Sequence, residues 1–123
     1  MDKKKSAAQA VGVRPRLRVM WGQDIALGPG RVELLELIEK TGSLRAAAEQ
    51  MGLSYMRAWT LVKLTNRCFS APVVEAVRGG QTGGGARLTD AGRKAMGLYR
   101  QMESESQRAV KGPWAELKRL LRK

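Results

Sequence analysis

Between residues 54 and 63 the chain places Ser54, Tyr55, Met56, Arg57, Thr60 and Lys63. These are hydroxyls, a thioether and two cations, and residues three and four apart share a helix face. Such a face offers hydrogen bonds and charge to a polyanion rather than bond-breaking chemistry. Tyr55 and Thr60 hydroxyls suit phosphate oxygens or base edges, Lys63 suits phosphate, and Met56 suits a thymine methyl. Ser54 stands where a helix N-cap belongs, and Arg57 points back toward a phosphate or an acid. Trp59 has two readings, packing against a neighbouring element or contact in a groove. Arg45 begins the preceding helical segment, placed for phosphate. Downstream, Arg78, Gln81, Thr82 and Arg87 sit in or beside a run containing Gly79, Gly80, Gly83, Gly84 and Gly85. Backbone amides there can approach phosphates closely. This is not a P-loop, because no Gly-Lys-Ser/Thr follows and the next segment reads as a strand.

Other chemistries are poorly supplied. The 123 residues include no histidine and one cysteine, Cys68. That excludes disulfide frameworks, zinc fingers and histidine-based metal or catalytic sites within one chain. Paired-carboxylate motifs and nucleotide fingerprints are absent too, so the chain reads as a non-enzyme with no cofactor and no metal. Cys68 reads as a small packed thiol, with redox sensing as the other option. The cysteine usage suits a reducing cytoplasm, and no stretch has the ~18–20 apolar residues of a membrane span.

Lys plus Arg number 23 against 11 Asp plus Glu, a net charge of +12. An excess of this size points to a polyanionic partner, nucleic acid before a membrane surface. The excess sits in three places. Residues 1–18 carry six bases against one acid, residues 108–123 carry the same balance, and residues 43–94 carry eight against three. Residues 31–40 are instead acidic, through Glu33, Glu36 and Glu39. Lys3, Lys4 and Lys5 ahead of an Ala/Gly-rich stretch imitate a signal peptide, but that stretch contains Gln9 and stops at Arg14. Residues 1–15 therefore read as a basic flexible tail.

The elements that must position the recognition residues follow from periodicity. Leu17, Val19 and Trp21 alternate with polar neighbours, and with Ile25-Ala26-Leu27 across a Gly22-Gln23-Asp24 turn they predict a β-hairpin. Gly28-Pro29-Gly30 ends it. Val32, Leu34, Leu35, Leu37 and Ile38 predict a helix with an acidic outer stripe, closed by Thr41-Gly42. Ser43 caps a second helix over 44–51, Gly52 breaks it, and Ser54 caps a third over 55–66. Residues 73–77 and 86–88 predict two strands around the glycine run. Thr89 caps a long helix reaching to about Val110. Gly112-Pro113 interrupts it, and residues 114–121 form a short basic amphipathic helix with Trp114, Leu117, Leu120 and Leu121 on one side.

Ala48, Gly52, Leu53, Ala58 and Leu61 have the spacing of a helix-turn-helix: a small residue for close approach, a glycine for the turn, and three residues gluing the second helix to the core. The strand–glycine loop–strand that follows makes it a winged helix. The predicted fold is mainly α with small β, a winged helix-turn-helix with an N-terminal β-hairpin and a long C-terminal dimerisation helix. The winged-helix domain spans 16–110 and the basic terminal helix 111–123. On the long helix Met96, Tyr99 and Met102, with Leu98 nearby, form a stripe that either packs on its own domain or pairs with a second copy.

Gly28-Pro29-Gly30-Arg31-Val32, Thr41-Gly42-Ser43-Leu44, Ala46-Ala47-Ala48, Met51-Gly52-Leu53-Ser54-Tyr55, Ala58-Trp59, Asn66 and Gly83-Gly84-Gly85-Ala86-Arg87-Leu88-Thr89 together resemble the N-terminal DNA-binding domain of the ModE-type molybdate-responsive transcriptional regulators, in the LysR-like winged-helix group. The resemblance covers about residues 16–102. It implies a homodimer built through the first and last helices and the N-terminal strands, on palindromic double-stranded DNA. Met56 departs from the family's usual lysine. The family's C-terminal oxyanion-binding domain and its Ser-Ala-Arg-Asn signature are not in the sequence, so the resemblance implies DNA binding and puts molybdate binding by this chain in doubt. The expected function is a cytoplasmic, sequence-specific transcriptional regulator. The alternatives are a winged-helix protein-interaction module and a non-specific DNA binder.

Overall fold

The computed structural model describes residues 10–77 and 85–123. Arg78, Gln81, Thr82 and the wing-tip glycines 79–84 lie outside the described residues, as does the start of the expected basic tail. The element order is β1 (Val19–Trp21), β2 (Asp24–Leu27), α1 (Pro29–Thr41), α2 (Leu44–Met51), α3 (Tyr55–Arg67), β3 (Val74–Ala76), β4 (Ala86–Leu88), α4 (Asp90–Ala109) and α5 (Lys111–Leu120).

β1 and β2 pair antiparallel around Gly22, whose φ of 65° needs a residue without a Cβ. Gly28 does not merely stop the hairpin. It is the N-cap of α1, and Pro29 occupies the first turn, where a missing N–H costs nothing. Arg31 donates to the Ile25 carbonyl and ties this helix back to β2. Val32, Leu34, Leu35 and Ile38 are buried, and Gly42 closes the helix in the left-handed region with its N–H on the Ile38 carbonyl at 2.8 Å.

α1 is the central element, in contact with α2, α3, β4 and α4. Around it close Leu44, Ala47, Ala48, Ala58, Val62, Val73, Val74, Ala86, Leu88 and Tyr99. β3 and β4 pair in the register Val74↔Leu88, Glu75↔Arg87, Ala76↔Ala86. A bridge between Ser43 and Gly85, with the Ala86 N–H on the Gly42 carbonyl at 3.3 Å, fastens this wing to the start of α2. Thr89 then does two jobs: its hydroxyl donates to the Pro72 carbonyl at 2.6 Å and accepts from the Gly92 N–H at 3.0 Å. Gly92 is required where it stands, because a Cβ there would collide with the Val73 carbonyl oxygen.

Two expectations change. Gly112-Pro113 does not interrupt the terminal helices. The break falls at Val110, and Gly112 and Pro113 lie in the first turn of α5, where proline is tolerated. The apolar stripe of α4 is not one face either. Tyr99 is 1% exposed and joins the chain's own core, whereas Leu98 and Met102 remain about half exposed. Neighbouring helix positions differ by about 100°, so Tyr99 and Leu98 cannot serve the same surface.

Candidate nucleic-acid interface

The turn between α2 and α3 is built as the sequence required. Ser43 caps α2 by accepting from the Ala46 N–H at 3.0 Å. Gly52 ends it at a φ of 70°, and the Leu53 N–H closes on the Ala48 carbonyl at 2.9 Å. Ser54 caps α3, its Oγ accepting from the Arg57 N–H at 3.0 Å. Ala48 and Ala58 are essentially inaccessible, which lets the two helices approach closely. Val62 and Thr65 complete the inner face of α3; Leu53 and Leu61, assigned to the same glue, are half-buried at its margin.

The opposite face is open. Met56, Arg57, Thr60 and Lys63 are exposed, Met56 by 68%. Sequence reasoning missed that Arg67 is exposed too and continues the row 56, 60, 63, 67; the spacing alone was enough to find it. Thr60 spends its hydroxyl hydrogen on the Met56 carbonyl at 3.0 Å, so it faces outward as an acceptor. Tyr55 is half-buried at the rim of the core, with the Arg45 guanidinium 4.5 Å above its ring centre. That stack fixes Arg45 beside the start of α3 and is an attraction of about 0.5–1 kcal/mol at an exposed site. Trp59 is half-buried against the core, and Lys63 Nζ lies 5.9 Å from its ring centre. The indole packs against the core at the margin of the open face.

The wing stem carries Arg87, whose Nε bonds Glu75 Oε2 at 2.7 Å, straight across the strand pair. Both side chains are well exposed, so the pair holds the guanidinium in place without much energy, about 0.2–1 kcal/mol. A second feature escaped sequence reasoning. Asn66, at the end of α3, grips the base of the wing with its whole amide. Oδ1 accepts from the N–H groups of Val73 at 2.7 Å and Val74 at 3.2 Å, and Nδ2 donates to the Val74 carbonyl at 3.0 Å. This side chain thus ties the wing to α3, as the Ser43–Gly85 bridge ties it to α2.

The acidic stripe of α1 is largely spoken for within the chain. Arg100 of α4 meets both oxygens of Glu36, at 2.6 and 2.9 Å, and also holds Glu103 at 2.6 Å. The hydrogen bonds it donates to Glu36, then to Glu103, drive its pKa further above the usual arginine value. Arg93 lies 3.7 Å from Glu39. Cys68 caps the end of α3 with its Sγ 3.5 Å from the Leu64 carbonyl. Among the described residues no group of three or more acidic or cysteine side chains is gathered to hold a metal ion, and no helix is long and apolar enough to cross a membrane.

No protein-family model matches the chain. It is 44% identical over 85 residues to a molybdenum transport protein, ModE, of Azotobacter vinelandii, covering 69% of this chain and 32% of the relative. It is 49% identical over 78 residues to the molybdenum-pterin-binding protein MopB of Rhodobacter capsulatus, covering 63% and 29%. It is 34% identical over 87 residues to the DNA-binding transcriptional dual regulator ModE of Escherichia coli K12, covering 71% and 33%. The chain thus spans about a third of the length of the curated relatives it matches. Among solved structures, it superposes on the DNA-binding domain of CbnR, crystallised with DNA, at a TM-score of 0.56 and 16% identity, over 72% of this chain and 95% of that one. That likeness establishes the winged-helix fold.

Proposed function

As the chain carries a winged-helix domain homologous to part of the ModE proteins, we propose that it is a sequence-specific DNA-binding transcriptional regulator, cytoplasmic and without catalytic activity, working as a dimer on a palindromic operator tied to molybdate metabolism. The observation that carries this reading is the outer face of α3. Met56, Thr60, Lys63 and Arg67 form one exposed row on a helix whose opposite face is locked into the core.

Such a row suits a major groove, which admits a helix and displays a distinct donor and acceptor pattern for each base pair. In this assignment Met56 and Thr60 meet base edges, with the Met56 thioether against a thymine methyl. Lys63 and Arg57 meet phosphates. Ser54 retains its hydroxyl hydrogen for a phosphate while its oxygen caps the helix. Tyr55 and Arg45 act as one stacked unit at the groove edge. Arg87 brings the wing stem to the neighbouring backbone, and Arg78, Gln81 and Thr82, outside the described residues, are assigned to the same contact from the sequence.

The deciding experiment is selection of bound fragments from genomic DNA at about physiological salt, with and without molybdate. A recovered palindrome is the expected result. Recovery of unselected DNA, with binding that vanishes at moderate salt, overturns sequence specificity. A molybdate-dependent change in the recovered set assigns oxyanion sensing to this chain itself.

A further inference from the structure

Ahead of β1 exposure alternates without a break from Val13 to Val19, the period of two that extended backbone produces. Val13, Pro15, Leu17 and Val19 are half-buried, while Arg14, Arg16 and Arg18 are exposed. The segment is not a loose tail. The Val13 carbonyl accepts from Gln107 Nε2 at 3.0 Å, and the Leu17 carbonyl accepts from the buried Tyr99 hydroxyl at 2.7 Å. Four residues of extended chain span about 13 Å at 3.3 Å each. Eight residues of helix, from 99 to 107, span about 12 Å at 1.5 Å each. The segment therefore lies antiparallel along α4, pinned near each end.

That pinning turns three arginines into a comb. Side chains two residues apart on extended backbone repeat about every 6.6 Å, close to twice the ~3.4 Å rise per phosphate along one strand of duplex DNA. Among the described residues, none of the three guanidiniums pairs with a carboxylate. Glu103 of α4, which lines the same cleft as Arg14, is already held by Arg100. Arg14 also shares with Arg100, Glu103, Ser104, Gln107 and Arg108 an open cleft of about 610 Å³, in which the guanidiniums outnumber the one carboxylate. Three unpaired cations on one pinned stretch of backbone repel one another until an anion arrives.

We propose that the extended segment bearing Arg14, Arg16 and Arg18 is a second nucleic-acid contact, a sequence-independent phosphate comb separate from the recognition helix. Guanidinium suits this task because its planar fork bonds phosphate oxygens in pairs. The comb adds affinity and salt dependence, whereas α3 supplies discrimination. The proposal rests on the DNA-binding reading above and extends it to a surface outside the helix-turn-helix.

The test uses the full chain, a random-sequence 30-base-pair duplex, and binding measured across a salt series. Each neutralised phosphate contributes about 0.9 to the slope of log K against log salt. The triple variant Arg14→Ala, Arg16→Ala, Arg18→Ala should therefore flatten the slope by about 2–3, and the triple lysine variant should largely retain it. Circular dichroism melting curves check that the fold is kept. An unchanged slope in a folded triple alanine variant overturns the comb. So does loss of binding to phosphatidylserine vesicles with duplex affinity intact, which would assign the segment to a lipid surface. Failure of the wild-type chain to bind any duplex would instead strike the DNA-binding reading itself, so the two failures are distinguishable.

Discussion

Replacing Asn66 by alanine removes three hydrogen bonds between the recognition helix and the wing. The Val73 N–H loses its partner in a residue with no solvent exposure, and Val74, 3% exposed, loses a partner at both its N–H and its carbonyl. A buried donor left without a partner costs about 1–3 kcal/mol, and each of the others contributes about 1 kcal/mol net. The sum is about 3–5 kcal/mol. For a chain of this size each kcal/mol lowers Tm by about 4 °C, so Asn66→Ala should melt about 12–20 °C below the wild type by circular dichroism. Asn66→Asp keeps an acceptor for the two N–H groups but sets a carboxylate oxygen against the Val74 carbonyl, and should fall between the two. DNA binding, measured well below the lowered Tm, should also weaken, because wing and helix no longer share one fixed orientation. A shift under about 2 °C for the alanine variant would refute the clamp, and unchanged DNA affinity in the folded variant would refute its role in aiming the wing.

Gly92→Ala should destabilise toward the upper end of the ~1–3 kcal/mol of overpacking, since its Cβ runs into the Val73 carbonyl. Gly97→Ala on the same helix meets no atom within 4 Å and should stabilise by about 0.5–1 kcal/mol; denaturant titration of the pair separates collision from propensity. Tyr99→Phe should lose about 1 kcal/mol with its bond to Leu17. Burial, reinforced by Glu103, raises the Tyr99 pKa. The unfolded chain therefore releases this proton first, and the stability that it contributes is full below about pH 10 and falls above it. Wild-type Tm should drop more steeply than that of Tyr99→Phe in that alkaline range. Tyr55→Ala should weaken specific DNA binding while sparing most of the fold, because it frees Arg45 from its stack; unchanged specific binding would remove Tyr55 from the interface.

The elements themselves were legible because they are local. Ser43, Ser54 and Thr89 announce three helix starts, and each hydroxyl caps where expected. Gly42 and Gly52 mark two helix ends and adopt the left-handed conformation that their positions imply. The inner and outer faces of α3 follow from a period of 3.6, which is why Ala58 and Met56 sort correctly by sequence alone. Tyr99 sorted less well. A helix with apolar residues at 96, 98, 99 and 102 does not say which of them its own domain will claim, because that depends on where α1 and the N-terminal segment cross it.

The same limit explains Asn66, Arg100 and the arginine comb. Each joins residues distant in sequence: Asn66 to Val73 and Val74, Arg100 to Glu36, and Gln107 and Tyr99 to the segment at 13–17. No periodicity encodes such pairs, and a polar side chain gives the same local signal whether it faces water or a backbone carbonyl. Residues 14–18 illustrate the consequence. Read alone, Arg14 falls in a basic tail and Arg16 and Arg18 in the alternation of a hairpin strand. Once two carbonyls of that segment are bonded to α4, the alternation acquires a direction, and the charges that looked dispersed become a row held toward solvent. The nucleic-acid surface of this domain is therefore proposed to be wider than its helix-turn-helix, for a reason that is mechanical: the long helix that supports the core also serves as the rail on which a second set of cations is mounted.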